Sequence, residues 1–412
     1  MSNSISFSTK RPIALSQQIK SFGDHKNVPL YEDDAFRLVA AGVKDAVIVD
    51  DQTGEETPLT MENYKTVAPA PNPYFPNPDA PVVVAVDIVV IDGDYVFLNG
   101  VDGRIYLRED GVTVVAAENT AGEVVEYTLT DKSIIFGGCK EESTPKSYIV
   151  MESGVVDKIV GGGLGSDVVS ADVDNVVVKL FGGDVRGIYG GGFLACRCKN
   201  SVIDVTGGNL NFVYGGGDAS YNGKVVGIKE DPAASLCVVE NVVINMSNVV
   251  MAGSAPSIFG GGCDYNYVMN AEINLNNVDV VDGYVVAGGA NGRTDNAVLN
   301  IDGGSYNVVQ SINRGSMKSA KLVINDGAFV NVFAGGEDPE TTVGDVVNGF
   351  IDENGGIVVE LNGGTIDALN TGSNGDSVIA ADDALVSVVV TGATVTNIED
   401  AKVAFGTSLT VV

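Results

Sequence analysis

The second half of the chain repeats one pattern: a short β-forming run leads to a glycine pair and then to a second glycine cluster. Residues Val176 to Gly192 (VVVKLFGGDVRGIYGGG) and Val202 to Gly217 (VIDVTGGNLNFVYGGG) carry it most clearly. Looser copies run from Val242 to Gly262, Ile273 to Gly289, Val298 to Gly315, Leu322 to Gly336 and Ile357 to Gly375. A fixed period of this kind decides the fold class before any single residue does.

Successive strand starts lie close to 25 residues apart where the copies are compact, as from Val177 to Val202 and from Val298 to Leu322. Longer intervals coincide with polar or proline-containing inserts, at Asn222 to Ser235 and Glu337 to Asn354. A solenoid tolerates such inserts because they leave a coil at its corner without disturbing the stack. Apolar residues alternate with a period of two, as in Ile203 and Val205, Ile273 and Leu275, Leu299 and Ile301, so one face turns inward. Glycine reaches positive φ without a Cβ clash, so Gly182 and Gly183, or Gly215 to Gly217, are expected to turn the chain sharply, with Asn276, Asn277 and Asp302 suited to the same region. The pattern predicts an all-β fold, a right-handed parallel β-helix (β-solenoid). Roughly eight to ten coils rising ~4.8 Å each would make a rod about 40 to 50 Å long. A β-sandwich or a string of small β domains is the alternative.

Lys and Arg total 24 against 54 Asp and Glu, a net charge of −30. That balance argues against nucleic acid as a partner, since affinity for it is built on basic side chains. The longest apolar stretch, Val82 to Ile91, is broken by Asp87 and too short to span a bilayer. No apolar core followed by a cleavage pattern is visible near the N-terminus, so no secretory signal is expected. The five cysteines, Cys139, Cys196, Cys198, Cys237 and Cys263, read as free buried thiols.

Five regions are expected. Residues 1–66 form an N-terminal attachment region whose first 30 residues are net basic through Lys10, Arg11, Lys20 and Lys26, with a short helix from about Glu32 to Val43. Residues 67–81 (VAPAPNPYFPNPDAP) hold six of the thirteen prolines and form a semi-rigid linker. Residues 82–123 make a β-rich neck with turns at Asp92-Gly93, Asn99-Gly100, Asp102-Gly103 and Asp110-Gly111. Residues 124–385 carry the solenoid repeats, with SIIFGGC at Ser133 to Cys139 echoing SIFGGGC at Ser257 to Cys263. Residues 386–412 form a C-terminal cap or oligomer contact.

Catalytic chemistry is sparse. The single histidine, His25, lies in the basic leader, which removes a Ser-His-Asp triad or a His-ligated catalytic metal from the β body. Carboxylate pairs such as Asp382 and Asp383, or Asp218 and Asp264, are weak candidates for glycoside hydrolysis. Gly162 to Val169 (GGLGSDVV) fits one copy of a calcium-binding nonapeptide, at Asp167, but no second copy follows it. Tyr189, Tyr214 and Phe259 occupy equivalent places before the glycine cluster, and read as an aromatic stack in preference to a sugar-binding ladder. No catalytic residue, metal or cofactor is assigned.

This layout resembles the fibre, spike and decoration proteins of tailed bacteriophages, and the V-Y-G-G-G and I-F-G-G-G copies look like glycine-rich β-helical repeats of predicted adhesins from gut bacteria and their phages. The resemblance implies a non-enzymatic virion surface protein, a head fibre or capsid decoration assembled in the host cytoplasm. Its N-terminus would dock on the major capsid or another virion protein through Lys10, Arg11, Lys20 and Lys26, and its solenoid would meet a host-surface glycan or receptor, as a homo-oligomer with a trimer favoured. A β-helical tailspike depolymerase and a bacterial surface adhesin are the alternatives.

Overall fold

The computed structural model describes residues 3–7, 46–50, 56–58, 60 and 62, and then 89–119, 122–221, 235–251, 253–313, 315–336, 349–371, 378–380, 385–399 and 406–411. The chain divides into two compact units, Met1–Val83 and Val84–Val412. In the first, strands Asn3–Phe7, Ala46–Asp50 and Glu56–Pro58 form an antiparallel sheet. The expected helix at 32–43, the linker at 67–81 and the basic residues Lys10, Arg11, Lys20 and Lys26 lie outside the described residues. No α-helix occurs among the described residues.

The second unit is a β-solenoid whose strands stack in parallel, coil on coil, in two long ladders. In the first ladder Val150, Lys179, Asp204, Asn245, Asn274, Asn300, Val323, Glu360, Val389 and Thr410 lie one above the other, with Arg104 beneath Val150. The second ladder runs through Phe97, Phe136, Val160, Tyr189, Tyr214, Phe259, Val286, Gln310, Phe333, Asn370 and Glu399.

Between the two ladders lies one continuous apolar core. The column Ile149, Val178, Ile203, Ile244, Ile273, Leu299, Leu322, Val359 and Val388 is fully buried along its length. Its neighbour two residues on, Met151, Leu180, Val205, Met246, Leu275, Ile301, Ile324 and Leu361, faces the same interior. Period-two alternation alone selects this set, because every second side chain of a strand points to the same face. Each buried aliphatic side chain contributes about 1.5–3 kcal/mol relative to exposure.

The two kinds of glycine do different jobs. At the bend from the first ladder into the second, Gly183 and Gly208 sit at φ +90° and +86°, and Asn277 takes the same place at +52°. The clusters after the second ladder are not turns by positive φ, contrary to the sequence expectation. There the chain bends without positive φ, and Gly161, Gly190, Gly215 and Gly260 each donate an N–H to the carbonyl of Tyr189, Tyr214, Phe259 and Val286 at 2.8–3.1 Å. A Cβ on Gly190, Gly215 or Gly260 would stand 2.2–2.3 Å from a carbonyl oxygen of the neighbouring coil. Glycine is required because the α-hydrogen points along the stack, where Cα–H···O contacts replace a side chain.

Asparagines bind the coils together outside the core. Asn200 donates to Asn175 at 2.9 Å, Asn241 to Asn200, Asn270 to Asn241 and Asn296 to Asn270 at 3.1 Å each, and Ser319 to Asn296 at 2.8 Å. A second ladder links Asn245 to Asp204, Asn274 to Asn245 and Asn300 to Asn274. Each amide bridges two coils, so the register of one fixes the next.

The stack is longer than the expected 124–385. Tyr95–Phe97 and Gly103–Leu107 already pair in parallel with Ile134–Phe136 and with 149–151 above them. Below, antiparallel strands cover the open edges: Val90–Asp92 against Tyr95–Phe97, and Thr113–Glu118 with Val124–Thr128 against Gly103–Leu107. Of the expected turns, Gly93, Asn99-Gly100 and Gly111 take positive φ, whereas Gly103 opens a strand. At the other end Leu385–Val390, Thr394–Glu399 and Gly406–Val411 continue the parallel pairing, so residues 385–411 contain further coil strands where a distinct cap was expected.

The connections are unequal. From the first ladder to the second, segments 152–154, 181–183, 206–208, 362–364 and 391–393 have three residues each, and 251–256 has six. From the second ladder back to the first, the chain passes the glycine corner, and 161–172, 215–236 and 334–348 are long. The inserts read from the sequence therefore leave the solenoid along one edge.

Candidate functional site

In the second ladder, Ile135, Ile159, Ile188, Val213 and Ile258 face the interior, which turns the residue after each one outward. Those outward residues are Phe136, Val160, Tyr189, Tyr214 and Phe259. The expected stack of Tyr189, Tyr214 and Phe259 forms, with ring centroids 5.1 and 4.9 Å apart and planes within 17° and 8°. Phe97 and Phe136 continue it below, 4.8 Å apart.

The stack is roofed by residues that follow the glycine corners. Phe193, fully buried, meets Tyr189 edge-on at 4.8 Å and Phe136 at 5.5 Å, and Tyr221 lies flat on Phe193 at 4.1 Å. This second apolar cluster is separate from the interior core. Tyr189 and Phe259 are each only 5 % exposed. They are packing elements, closed to a sugar ring. Phe212 lies over Gly187 of the coil beneath, where a Cβ would come within 1.8 Å of its ring.

Charged groups ring the cluster. Lys158 is 8 % exposed and holds its ammonium 5.1 Å above the Tyr221 ring centroid, with Asp157 3.8 Å away. Burial pushes the Lys158 pKa down, and the neighbouring Arg186 guanidinium adds to the shift. Arg186 is gripped by Asp157 through Nε at 2.5 Å and Nη2 at 2.9 Å, which raises its own pKa.

The other side of the cluster joins two carboxylates that the sequence offered only as one pair among many. Asp218 follows the corner 215–217, Asp264 follows 260–262, and stacking the coils brings them together. Ser220 Oγ stands 3.1 Å from Asp218 Oδ1 and 2.9 Å from Asp264 Oδ2. The Ser220 N–H donates to Asp218 Oδ1 at 2.9 Å, and Asn291 Nδ2 donates to Asp264 Oδ1 at 2.8 Å. Burial and the neighbouring Cys263 raise the pKa of Tyr214. Burial raises the pKa of Asp218, and burial with the nearby carboxylates raises that of Cys263, so the thiol stays protonated. Asp218, Cys263 and Asp264 place their oxygen and sulfur atoms within 4.8 Å of one another. Hydrogens of Ser220 and Asn291 occupy part of this set and tie the two carboxylates into one hydrogen-bonded cluster.

Asp382 and Asp383 lie outside the described residues, and Asp167 is exposed on the 161–172 connection, apart from this cluster. All five cysteines are free, and Cys196 and Cys198 hold their sulfurs 3.7 Å apart beside the glycine corner. Sequence reasoning did not single out Lys158, Phe193, Ser220 or Tyr221. For Phe193, Ser220 and Tyr221 the one legible signal is an aromatic or polar residue soon after a glycine triplet; Lys158 carries none.

No protein-family model, curated protein or solved structure matches this chain.

Proposed function

We propose that the protein is a structural display rod, a virion surface protein of head-fibre or decoration type, which docks by its N-terminal region and presents a right-handed solenoid for adhesion to a host-surface glycan or receptor. The observation that carries this reading is the segregation of long connections. All the long inserts leave from the glycine-corner edge, so sequence can vary there while the stacked core and its asparagine ladders stay constant. The acidic exterior keeps such a rod soluble. A right-handed winding agrees with the general hand of parallel strand connections.

The depolymerase reading draws on the meeting of Asp218 and Asp264. Asp218 is only 8 % exposed, which disfavours access of a glycosidic oxygen to it. Adhesion is therefore favoured over cleavage.

Two arms test the proposal. Replacing 223–233 and 338–347 by short Gly-Ser links is expected to leave a folded rod with unchanged far-UV circular dichroism and to reduce binding to host cells or their purified surface polysaccharide at least tenfold. Removing residues 1–65 is expected to abolish incorporation into particles. Full binding by the loop-shortened rod, or particles that still incorporate the truncated chain, would overturn the proposal, and released oligosaccharides would favour the enzyme.

A further inference from the structure

We propose that Asp218, Ser220 and Asp264 form a proton-sharing clasp between two successive coils, at the foot of the 222–234 insert, and that loss of the shared proton loosens this corner. The inference does not depend on what the rod binds.

It starts from counting hydrogens. Ser220 Oγ carries one hydrogen and faces two carboxylate oxygens, Asp218 Oδ1 at 3.1 Å and Asp264 Oδ2 at 2.9 Å. With both acids ionised, that hydrogen serves one of them, and the other turns its lone pairs on those of the hydroxyl. One added proton closes the row: the Asp218 carboxyl donates to Ser220 Oγ, and Ser220 donates to the Asp264 carboxylate. Chains of this kind strengthen one another in a low-dielectric setting. Asp218 is the buried member, and Asp264 Oδ1 already accepts the Asn291 amide hydrogen at 2.8 Å.

Every charged or titratable neighbour fits the assignment. From the second ladder, Tyr189 and Tyr214 face Asp218 as neutral phenols held protonated by burial, and Cys263 faces it as a neutral thiol. Cys237 is a further neutral thiol held protonated by burial, and Lys158, whose charge interacts with Asp218, favours the ionised acid, but burial outweighs it. Arg186 is committed to Asp157.

The mechanical consequence follows from the backbone. Next to the clasp, Ala219 N donates to Asp264 O at 2.9 Å and Cys263 N to Gly217 O at 2.8 Å, both across the coil boundary. Both tie the corner that leads into the insert to the next coil. Because the folded state raises the pKa of Asp218, it binds the proton more tightly than the unfolded chain does. The stabilisation is full below the ordinary carboxylate range and is lost as pH rises through the folded value.

Hydrogen exchange of the full chain, divided by the intrinsic rate at each pH, reads the clasp directly. The amides of Ala219 and Cys263 are expected to lose at least tenfold in protection between pH 3.5, below the ordinary carboxylate range, and pH 8, while Asn362, which donates to Ile324 O at 2.7 Å in a distant coil, holds its protection. In Asp218→Asn the side-chain oxygen keeps the Ser220 N–H and carries no titrating proton, so the Ser220 hydrogen goes to Asp264 at every pH and protection should no longer change between the two pH values. In Ser220→Ala the bridge is gone, and protection should be low at both. A fall at Ala219 and Cys263 that matches the fall at Asn362, or the wild-type fall retained in either variant, would overturn the proposal. Should Asp218→Asn not fold, Ser220→Ala alone decides.

Discussion

Gly215→Ala is expected to split the solenoid at the corner it closes. The added methyl would stand 2.2 Å from the Gly260 carbonyl oxygen and 2.4 Å from a Val242 methyl. One contact is backbone and the other is a side chain packed in the core, so neither can step aside. The coils must separate, which breaks the bonds from Gly215 N to Phe259 O and from Gly216 N to Gly261 O. A loss of at least ~3 kcal/mol follows from overpacking joined to broken ladder bonds. Gly93→Ala is the control. That glycine has φ +63° and no atom within 4 Å of the added carbon, so only backbone strain of about 1 kcal/mol is expected. Urea denaturation of the two variants side by side checks the contrast. Equal shifts in midpoint would mean that φ, and not the close approach of coils, is what demands glycine at the triplets.

Phe193→Ala is the second large effect. Phe193 has no exposed surface and touches Phe136, Tyr189 and Tyr221, so its removal takes the roof off the outward aromatic stack. A destabilisation of about 3–5 kcal/mol is expected for a buried phenylalanine truncated to a cavity. The effect should be local. Proteolysis is expected to begin near residues 193–221, while the interior column from Ile244 to Val388, in a different cluster, retains its protection. Thermal melting with mapped cleavage sites measures both. A loss under ~1 kcal/mol would show that the outer cluster adds little to the stack.

The chain announced its fold through local signals. The repeat, the period-two columns and the echo between Phe136 and Phe259 all survive in the stacked coils, because a solenoid writes each contact at a regular interval along the sequence. The role of the glycine triplets was misread, since nothing local distinguishes a glycine needed for φ from one needed because another coil passes within van der Waals reach. Gly183 and Gly215 look alike until register is known. The asparagine ladder was hidden for a related reason. Asn200, Asn241, Asn270 and Asn296 are neighbours in the stack, but the insert before Asn241 breaks their spacing.

The site was less legible than the fold. Asp218 and Asp264 could be named because each follows a glycine cluster, but the hydroxyl between them comes from Ser220, at the start of an insert. Lys158 has Gly187 and Phe212 above it in the same column, so no repeated residue type marks that position. Function at such a surface depends on which side chains different coils bring together, and that is decided by register and insert length.

The central claim is that distance along this molecule counts coils and not residues, and electron spin–spin distances between nitroxide labels measure it directly. Outward positions Val202, Val243, Glu272, Val298, Lys321 and Val358 lie in one column. Labels at Val202 and Lys321, four coils apart, should be separated by about 19 Å, and labels at Val202 and Val358, five coils apart, by about 24 Å. The increment of ~5 Å would be one strand spacing, although the insert 337–348 intervenes between Lys321 and Val358. An increment several times larger, or a distance that tracks sequence separation, would contradict the stacked-coil account.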